Sequence, residues 1–151
     1  MLNQATDSKY ILLAEDNPAD IQLVREALEH RKITHDLRVV QDGDRAVEFI
    51  ERLDRDSTLD CPALLLLDLY LPKRDGECIL RSLRASERCG QTPVVIMTSS
   101  GAAHDTETAA RHAALHYFRK PATLEEFLTL GDVVKEIVAR HTVACAIDTA
   151  S

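Results

Sequence analysis

The stretch LLLLDLYLPKRDG, Leu64–Gly76, decides the fold. Four consecutive leucines are typical of a parallel strand that is buried on both faces of a sheet. The run ends at Asp68, and a carboxylate is costly to bury unless another group meets its charge. The sequence therefore predicts a central strand that holds a functional carboxylate at its carboxyl end.

Short apolar runs alternate with longer amphipathic segments along the rest of the chain. Asn17 and Pro18 offer an N-cap and a first-turn proline, which are signals that begin a helix. Apolar residues then recur at helical spacing, at Ile21, Val24 and Leu28. Strand and helix patterns follow one another five times, which predicts an α/β fold with a doubly wound five-stranded parallel sheet and five helices. The predicted strands are Tyr10–Ala14, Leu37–Gln41, Ala63–Leu67, Val94–Thr98 and His116–Arg119.

Length and composition fit one globular domain. The chain has 151 residues, of which 45% are hydrophobic, and we predict a domain at 9–141 between a flexible N-terminus at 1–8 and a C-terminal tail at 142–151. The net charge of −7 argues against a nucleic-acid-binding surface, because phosphate backbones attract basic proteins.

The same features indicate where the chain is expected to act. No apolar run approaches the length of a membrane span, and the first residues lack the basic and apolar regions of a signal peptide. We therefore expect a cytosolic protein. The cysteines show no CxxC spacing and are expected to be reduced, without a disulfide or a zinc site. They are Cys61, Cys78, Cys89 and Cys145.

Reactive side chains end or follow four of the predicted strands. In doubly wound folds the functional crevice lies at the carboxyl ends of the strands, so these residues should converge. They are Glu15, Asp16, Asp68, Thr98 and Lys120. Clustered carboxylates need a cation, and oxygen ligands with room for a phosphate suit Mg²⁺. Since a lysine neutralises phosphoryl oxygens and an aspartate can form an acyl phosphate, the set predicts phosphoryl transfer.

Four motifs resemble the receiver domain of two-component response regulators. They are ILLAEDNPAD, LLLLDLYLPKRDG, PVVIMTSS and HYFRKPA, and the similarity spans roughly residues 9–141. The resemblance implies the flavodoxin-like receiver fold, with Asp68 accepting a phosphoryl group from a sensor histidine kinase. It implies an Mg²⁺ site made by Glu15, Asp16, Asp68 and the backbone carbonyl of Tyr70. It also implies that Thr98 and Lys120 bind the phosphoryl oxygens, that Thr98 and Tyr117 form a conformational switch, and that the Lys120–Pro121 bond is cis.

A narrower resemblance concerns the kind of regulator. The segment AEDNPAD, the position of Tyr70 and the chain length are similar to those of the single-domain regulators that accompany bacterial phytochrome kinases. A bacteriophytochrome is therefore an expected partner. About ten residues follow the last predicted helix, so no output domain is expected.

The sequence argues against two other functions. A phosphohydrolase with an aspartate nucleophile resembles a pattern with a second aspartate two residues later as general acid, and Tyr70 stands there instead. A receiver that cannot be phosphorylated would lack an acidic residue, the threonine or the lysine, and none is missing. We therefore expect no enzyme activity beyond the chain's own phosphorylation and dephosphorylation.

Kinase docking is expected beside the acidic pair. Leu23 lies roughly 160° from the centre of the apolar stripe on its helix, which predicts an exposed leucine. The alternative is an ordinary exposed leucine without a docking role, since single exposed leucines are common. The predicted docking residues are Ala19, Asp20, Leu23 and Ala122.

A homodimer is expected through the last predicted helix, Leu124–His141. Its apolar residues cover an arc of roughly 220°, whereas packing against one sheet needs about 100°. Leu130, Val133 and Ile137 are then left on the flank as a dimer face. The alternative is that the C-terminal tail folds back and covers them.

Overall fold

The computed structural model describes the backbone at residues 10–99 and 101–150, and the side chains at 10–99 and 101–140. Its sheet has five parallel strands in the order β2-β1-β3-β4-β5. The strands are β1 (Tyr10–Ala14), β2 (Asp36–Val40), β3 (Leu64–Asp68), β4 (Val94–Thr98) and β5 (His116–Arg119). The predicted doubly wound parallel sheet is confirmed. The N-terminal segment that was expected to be flexible lies outside the described residues.

In the described part of the chain, six helices connect and follow the strands. They are α1 (Pro18–His30), α2 (Gly43–Arg55), α3 (Gly76–Ala85), α4 (Ala103–Arg111), α5 (Leu124–Phe127) and α6 (Thr129–Ala150). The side chains of Asn17, Asp42 and Asp75 accept backbone N–H groups at the starts of the first three helices. Such caps satisfy N–H groups that have no partner within the helix, which is why these helices begin where they do.

The four leucines of β3 supply both layers of the core. Leu65 and Leu67 pack in the cluster that contains α2 and α3 residues, whereas Leu64 and Leu66 pack in the cluster that contains α1 and α6 residues. Successive side chains of a strand point to opposite faces, so a strand covered on both sides must be apolar throughout. β3 lies between β1 and β4, at the centre of the sheet.

The bounds of two strands differ from the predicted ones by one residue. β2 begins and ends one residue earlier, and β3 begins and ends one residue later. Asp68 is thus the last residue of β3 and pairs with Met97 of β4. Its backbone is held by the strand pairing of the sheet, so the Asp68 carboxylate extends from a fixed backbone position.

The last predicted helix is divided at Leu128. The N–H of Gly131 donates to the Leu128 carbonyl three residues earlier, a bond of the 3₁₀ type that tightens the turn. The second part continues to Ala150, so the backbone of the expected tail is helical up to that residue. The angular positions counted from Leu124 therefore do not carry over to α6.

The predicted exposure of the dimer face was wrong for two of its three residues. Leu130 is 0% exposed and Ile137 8% exposed, and both belong to the core, while Val133 is partly buried against it. The reason is that α6 packs on α1 as well as on the sheet. A Cβ at Gly131 would lie 2.4 Å from the Ala27 carbonyl oxygen of α1, so glycine permits this close approach. Dimerisation itself stays a prediction, now without this structural support.

A disulfide joins Cys61 to Cys89, contrary to the expectation that the cysteines are reduced. The two lie 28 residues apart, in the loops before β3 and β4, and their Cα atoms are 5.5 Å apart, within the range that a disulfide spans. Arg88 strengthens the same junction by donating to the carbonyl oxygens of Leu53 and Leu59. The amino end of the sheet is therefore tied together covalently and by hydrogen bonds.

Among the described residues, no helix has the length and apolar character that crossing a membrane requires.

Loss of the disulfide should destabilise the fold. Closing a 28-residue loop in the unfolded chain corresponds to about 3.5 kcal/mol, so a Cys61→Ser, Cys89→Ser double variant should lose about that free energy of unfolding in urea titrations. Cys78→Ser, at a half-buried free thiol, is the matched control and should change it by about 0.5 kcal/mol or less. A non-reducing peptide map that finds Cys61 and Cys89 as free thiols would contradict the pairing.

Candidate functional site

Lys120 lies among three carboxylates at the carboxyl ends of the strands. Its Nζ is 3.0 Å from Asp68 Oδ2, 2.6 Å from Glu15 Oε1 and 2.8 Å from Asp20 Oδ2. The lysine side chain is largely buried, as are Glu15 and Asp68. Residues that follow β1, begin α1, end β3 and follow β5 thus meet at one rim, as the topology predicts.

Burial and pairing shift the pKa of two of these groups. Burial raises the pKa of the Glu15 carboxyl, although the bond from Lys120 and the backbone N–H of Asn17 partly oppose this. For Lys120, burial alone lowers the pKa, but the carboxylates of Asp20, Glu15 and Asp68 outweigh it and raise the pKa above its ordinary value. The lysine is therefore a permanent positive charge, and Lys120 and the Asn17 N–H offset part of the cost that burial adds to ionising Glu15.

Three carboxylates at this rim could hold a metal ion. Glu15, Asp16 and Asp68 each offer an oxygen, and these oxygens lie within 4.8 Å of one another. Asp16 is exposed, while the other two are buried. A set of carboxylate oxygens with one side open to solvent suits a hard divalent cation that keeps several waters. The residues therefore fit the magnesium ion that the sequence predicts.

The loop between β3 and α3 is held against the site by backbone contacts. The N–H of Tyr70 donates to Asp68 Oδ1 at 2.9 Å, and the N–H of Gly76 donates to the Leu69 carbonyl at 2.8 Å. A Cβ at Gly76 would lie 2.6 Å from the Leu69 Cα, so only glycine allows this approach. The loop thus holds the Tyr70 N–H as a donor to the Asp68 carboxylate. The Tyr70 carbonyl belongs to the same loop, two residues after Asp68.

Thr98 and Tyr117 lie where the sequence analysis expected them, on the two strands beyond β3. Thr98 is buried at the end of β4, and its carbonyl accepts the N–H of Lys120 at 2.8 Å. Tyr117 is half-buried on β5. The expected cis bond between Lys120 and Pro121 was wrong, because the described residues contain no cis peptide. The long lysine stem reaches Asp68 from a trans backbone.

The predicted docking residues differ in exposure, and Asp20 contacts Lys120 at the rim. Ala19 and Ala122 are exposed, Asp20 is half-buried, and Leu23 of α1 is partly buried against the core. Leu23 is therefore less exposed than its angular position on the helix predicted. The reason is that the apolar face of α1 is wider than the stripe marked by Ile21, Val24 and Leu28.

Two contacts near the site were not predicted from the sequence. Asp20 is a predicted docking residue, yet its carboxylate also accepts a hydrogen bond from Lys120, and its place in the first turn of the helix after the acidic pair was a signal that it lies near the rim. Asp105 was not singled out, yet it accepts a hydrogen bond from the Tyr70 hydroxyl at 2.6 Å. No sequence pattern links these two residues, which lie 35 positions apart.

Comparison with protein families decides what this rim is. The model of the response regulator receiver domain matches residues 11–130. The chain belongs to the response regulator receiver family. It is 34% identical to the probable methanogenesis regulatory protein FilR2 of Methanothrix harundinacea, with 88% of this chain and 85% of that protein covered. It is 32% identical to the response regulator Rcp1 of Synechocystis, with 86% and 88% covered.

Solved structures of receivers share the fold. The phosphorylated cyanobacterial phytochrome response regulator RcpA superposes with a TM-score of 0.77 at 30% identity, covering 87% of this chain and 94% of RcpA. The Mn²⁺-bound form of Rcp1 gives a TM-score of 0.74 at 31% identity, covering 84% and 91%. The receiver fold and a role in phosphorelay signalling predicted from the sequence are thereby confirmed. The phosphohydrolase alternative is not favoured.

The raised pKa of Glu15 predicts a pH dependence. At pH values between the ordinary pKa of the Glu15 carboxyl and its raised pKa in the folded chain, Glu15 is protonated in the folded chain but ionised in the unfolded chain. The free energy of unfolding that Glu15 contributes is therefore present at lower pH and is lost as the pH rises through this range. In metal-free protein the free energy of unfolding of wild type should therefore fall, relative to Glu15→Gln, as pH is raised from about 4 to neutral.

A divalent metal ion should reverse this difference in the free energy of unfolding between wild type and Glu15→Gln, because the ion would bind the ionised carboxylate. Wild type should gain stability from Mg²⁺ at neutral pH, and Glu15→Gln should gain less. The measurement is urea unfolding at a series of pH values, with chelator or with Mg²⁺. A difference between wild type and variant that does not change with pH would contradict the shift.

Proposed function

We propose that this receiver accepts a phosphoryl group on Asp68 from a sensor histidine kinase in an Mg²⁺-dependent phosphorelay. The observation that supports it is the convergence of Lys120 and the acidic pair Glu15 and Asp16 on a carboxylate at the tip of the central strand. Asp68 contacts Lys120 through Oδ2, accepts the backbone N–H of Tyr70 through Oδ1, and is the last residue of the central strand.

The chain's own residues position and neutralise the transfer. An oxygen of Asp68 attacks phosphorus, a new O–P bond forms, and the P–N bond to the kinase histidine breaks with its electron pair leaving on the imidazole. Lys120 is placed to contact a phosphoryl oxygen, because its Nζ already lies 3.0 Å from Asp68 Oδ2. Thr98, buried at the end of the neighbouring strand, is the proposed hydroxyl donor to another oxygen. Phosphoryl transfer depends mainly on such positioning and charge neutralisation.

The divalent ion belongs to the same proposal. Glu15, Asp16, Asp68 and the carbonyl of Tyr70 would hold it, and when bound it neutralises charge on the phosphoryl oxygens. Mg²⁺ is proposed because it favours oxygen ligands and retains waters that leave room for the phosphate. The Mn²⁺-bound structure of Rcp1 shows that a receiver about 31% identical to this chain takes a divalent cation.

The proposed partner is a bacteriophytochrome kinase, and the proposed compartment is the cytoplasm. The similarity to RcpA, a phytochrome response regulator, supports the partner. We also propose that the chain is no hydrolase of external substrates, because Tyr70 occupies the position where a phosphohydrolase of this type has its acidic residue. Thr98 and Tyr117 are the proposed switch that transmits phosphorylation to the β5 side of the sheet.

Asp68→Asn should abolish phosphorylation. The full chain, incubated with acetyl phosphate and Mg²⁺, should gain the mass of one phosphoryl group, and the variant should gain none because the amide is no nucleophile. Asp60→Asn, an exposed aspartate at the opposite end of β3, is the matched control and should label like wild type. Steady release of phosphate without a labelled protein would favour a hydrolase instead, and equal labelling of Asp68→Asn would contradict the assignment.

Leu23→Glu should impair transfer from the kinase alone. Ala19, Asp20, Leu23 and Ala122 are the proposed docking residues for the kinase, so a new charge at Leu23 should slow phosphotransfer from the cognate kinase by about ten-fold. Labelling by acetyl phosphate should be unchanged. Leu115→Glu is the control, since Leu115 is exposed and lies at the amino end of β5. Unchanged transfer from the kinase would contradict the docking role.

A further inference from the structure

β2 lies at one edge of the sheet. The strand order is β2-β1-β3-β4-β5, so β1 is its neighbour on one side, and within the described residues no strand pairs with the other side. The Val40 carbonyl accepts the N–H of Glu15, which follows β1, at 3.0 Å. Since the backbone groups of successive residues in a strand point to opposite sides, the N–H and C=O groups of Leu37 and Val39 point away from β1. The edge therefore offers donors and acceptors that the sheet itself does not use.

An open groove of about 700 Å³, the β2 groove, lies beside this edge. Its wall is formed by residues 39–42 and by one face of α2. Phe49 of α2 is half-buried in this wall, and its ring contacts the Tyr10 ring edge to face, with 6.3 Å between the centroids. The groove thus places the strand backbone next to an aromatic ring and to the surface of a helix.

Arginines dominate the helix side of the β2 groove. Arg45, Arg52 and Arg55 line it, are exposed, and lie within about 80° of one another around the axis of α2. Two acidic residues, Asp42 and Glu48, share the wall. The Asp42 carboxylate already accepts the N–H of Arg45 at 2.8 Å, as the cap of α2. The wall therefore carries more positive than negative charge, although the whole chain has a net charge of −7.

We propose that the β2 groove binds an extended acidic segment of a partner protein. The segment pairs with the outer edge of β2 as an additional strand, and its acidic side chains contact the arginines of α2. Backbone pairing at a sheet edge supplies affinity for a peptide, and the alternate side chains of the peptide supply specificity. The arginines select an acidic segment by charge complementarity. The interaction needs no phosphoryl group on Asp68, so it is independent of the proposed function.

A peptide fits this edge better than a nucleic acid or a second copy of the chain does. The phosphate oxygens of a nucleic acid accept hydrogen bonds and donate none, so they would leave the Leu37 and Val39 carbonyls unpaired, and the negative charge of the chain opposes them. A second copy that paired through the same edge would bring two rows of α2 arginines together, and like charges repel. An acidic peptide satisfies the backbone groups and the guanidinium groups at once.

The test follows amide hydrogen exchange of the full chain by NMR while a blocked peptide of alternating glutamate and valine is added. Exchange of the Leu37 and Val39 amides should slow by about ten-fold near saturation, because carbonyl groups of the peptide accept their N–H groups. An Arg52→Glu, Arg55→Glu double variant should bind the peptide about ten-fold more weakly than wild type, because two attractive charges become repulsive. Circular dichroism checks that the variant is folded.

Two controls separate strand pairing in the groove from general attraction between charges. An Arg25→Glu, Arg81→Glu variant makes the same change in net charge at exposed arginines of α1 and α3, and it should bind the peptide like wild type. A peptide in which proline replaces valine keeps the carboxylates but cannot pair as a strand, so wild type should bind it about ten-fold more weakly. Equal binding of the proline peptide or of an oligothymidylate, equal weakening in the control variant, or unchanged exchange at Leu37 and Val39 would overturn the inference.

Discussion

The attraction between one lysine and three carboxylates is the interaction on which this structure depends. Glu15, Asp20 and Asp68 come from the loop after β1, from α1 and from β3, and each would repel the others without the ammonium group of Lys120 between them. Their oxygens lie in a partly desolvated rim, where such repulsion is less screened than in water. Lys120 therefore makes it possible for the sheet to end in a cluster of negative charge, and that cluster is what a metal ion and a phosphoryl group require.

The rest of the fold can be understood as the support for that cluster. Asp68 is held at the end of a strand that has apolar neighbours on both faces, and the next residues form a loop fixed by Gly76 and by the cap of α3. At the opposite end, the Cys61–Cys89 disulfide and Arg88 tie the loops that enter β3 and β4. The two ends are therefore built differently: one is covalently joined, and the other is held by charges that a ligand can rearrange.

The sequence predicted most of the fold because its signals are local. Apolar runs defined the five strands, and capping residues such as Asn17 marked where helices begin. The order of chemical groups along the chain, read with the rule for doubly wound sheets, placed Glu15, Asp68 and Lys120 at one rim. The errors involve contacts between distant segments. Cys61 and Cys89 show no motif spacing, and Tyr70 and Asp105 meet only after α4 packs. Leu130 was misplaced because a change of helical phase at Leu128 is invisible in a continuous apolar pattern.

The uniform leucine run has a consequence for how β3 finds its place. A strand that slips by one residue sends every side chain to the other face of its sheet, and this normally penalises the wrong register. In β3 both faces are covered by apolar layers and all four residues are leucine, so a slip exchanges one leucine for another at nearly every position. The apolar pattern thus specifies the strand but hardly its register. The residue that distinguishes the observed register from a register shifted by one residue is the polar residue at the end of the strand. Only the observed register places Asp68 opposite Met97 and within reach of Lys120. The carboxylate proposed to accept the phosphoryl group is therefore also the residue that favours the correct register of the central strand.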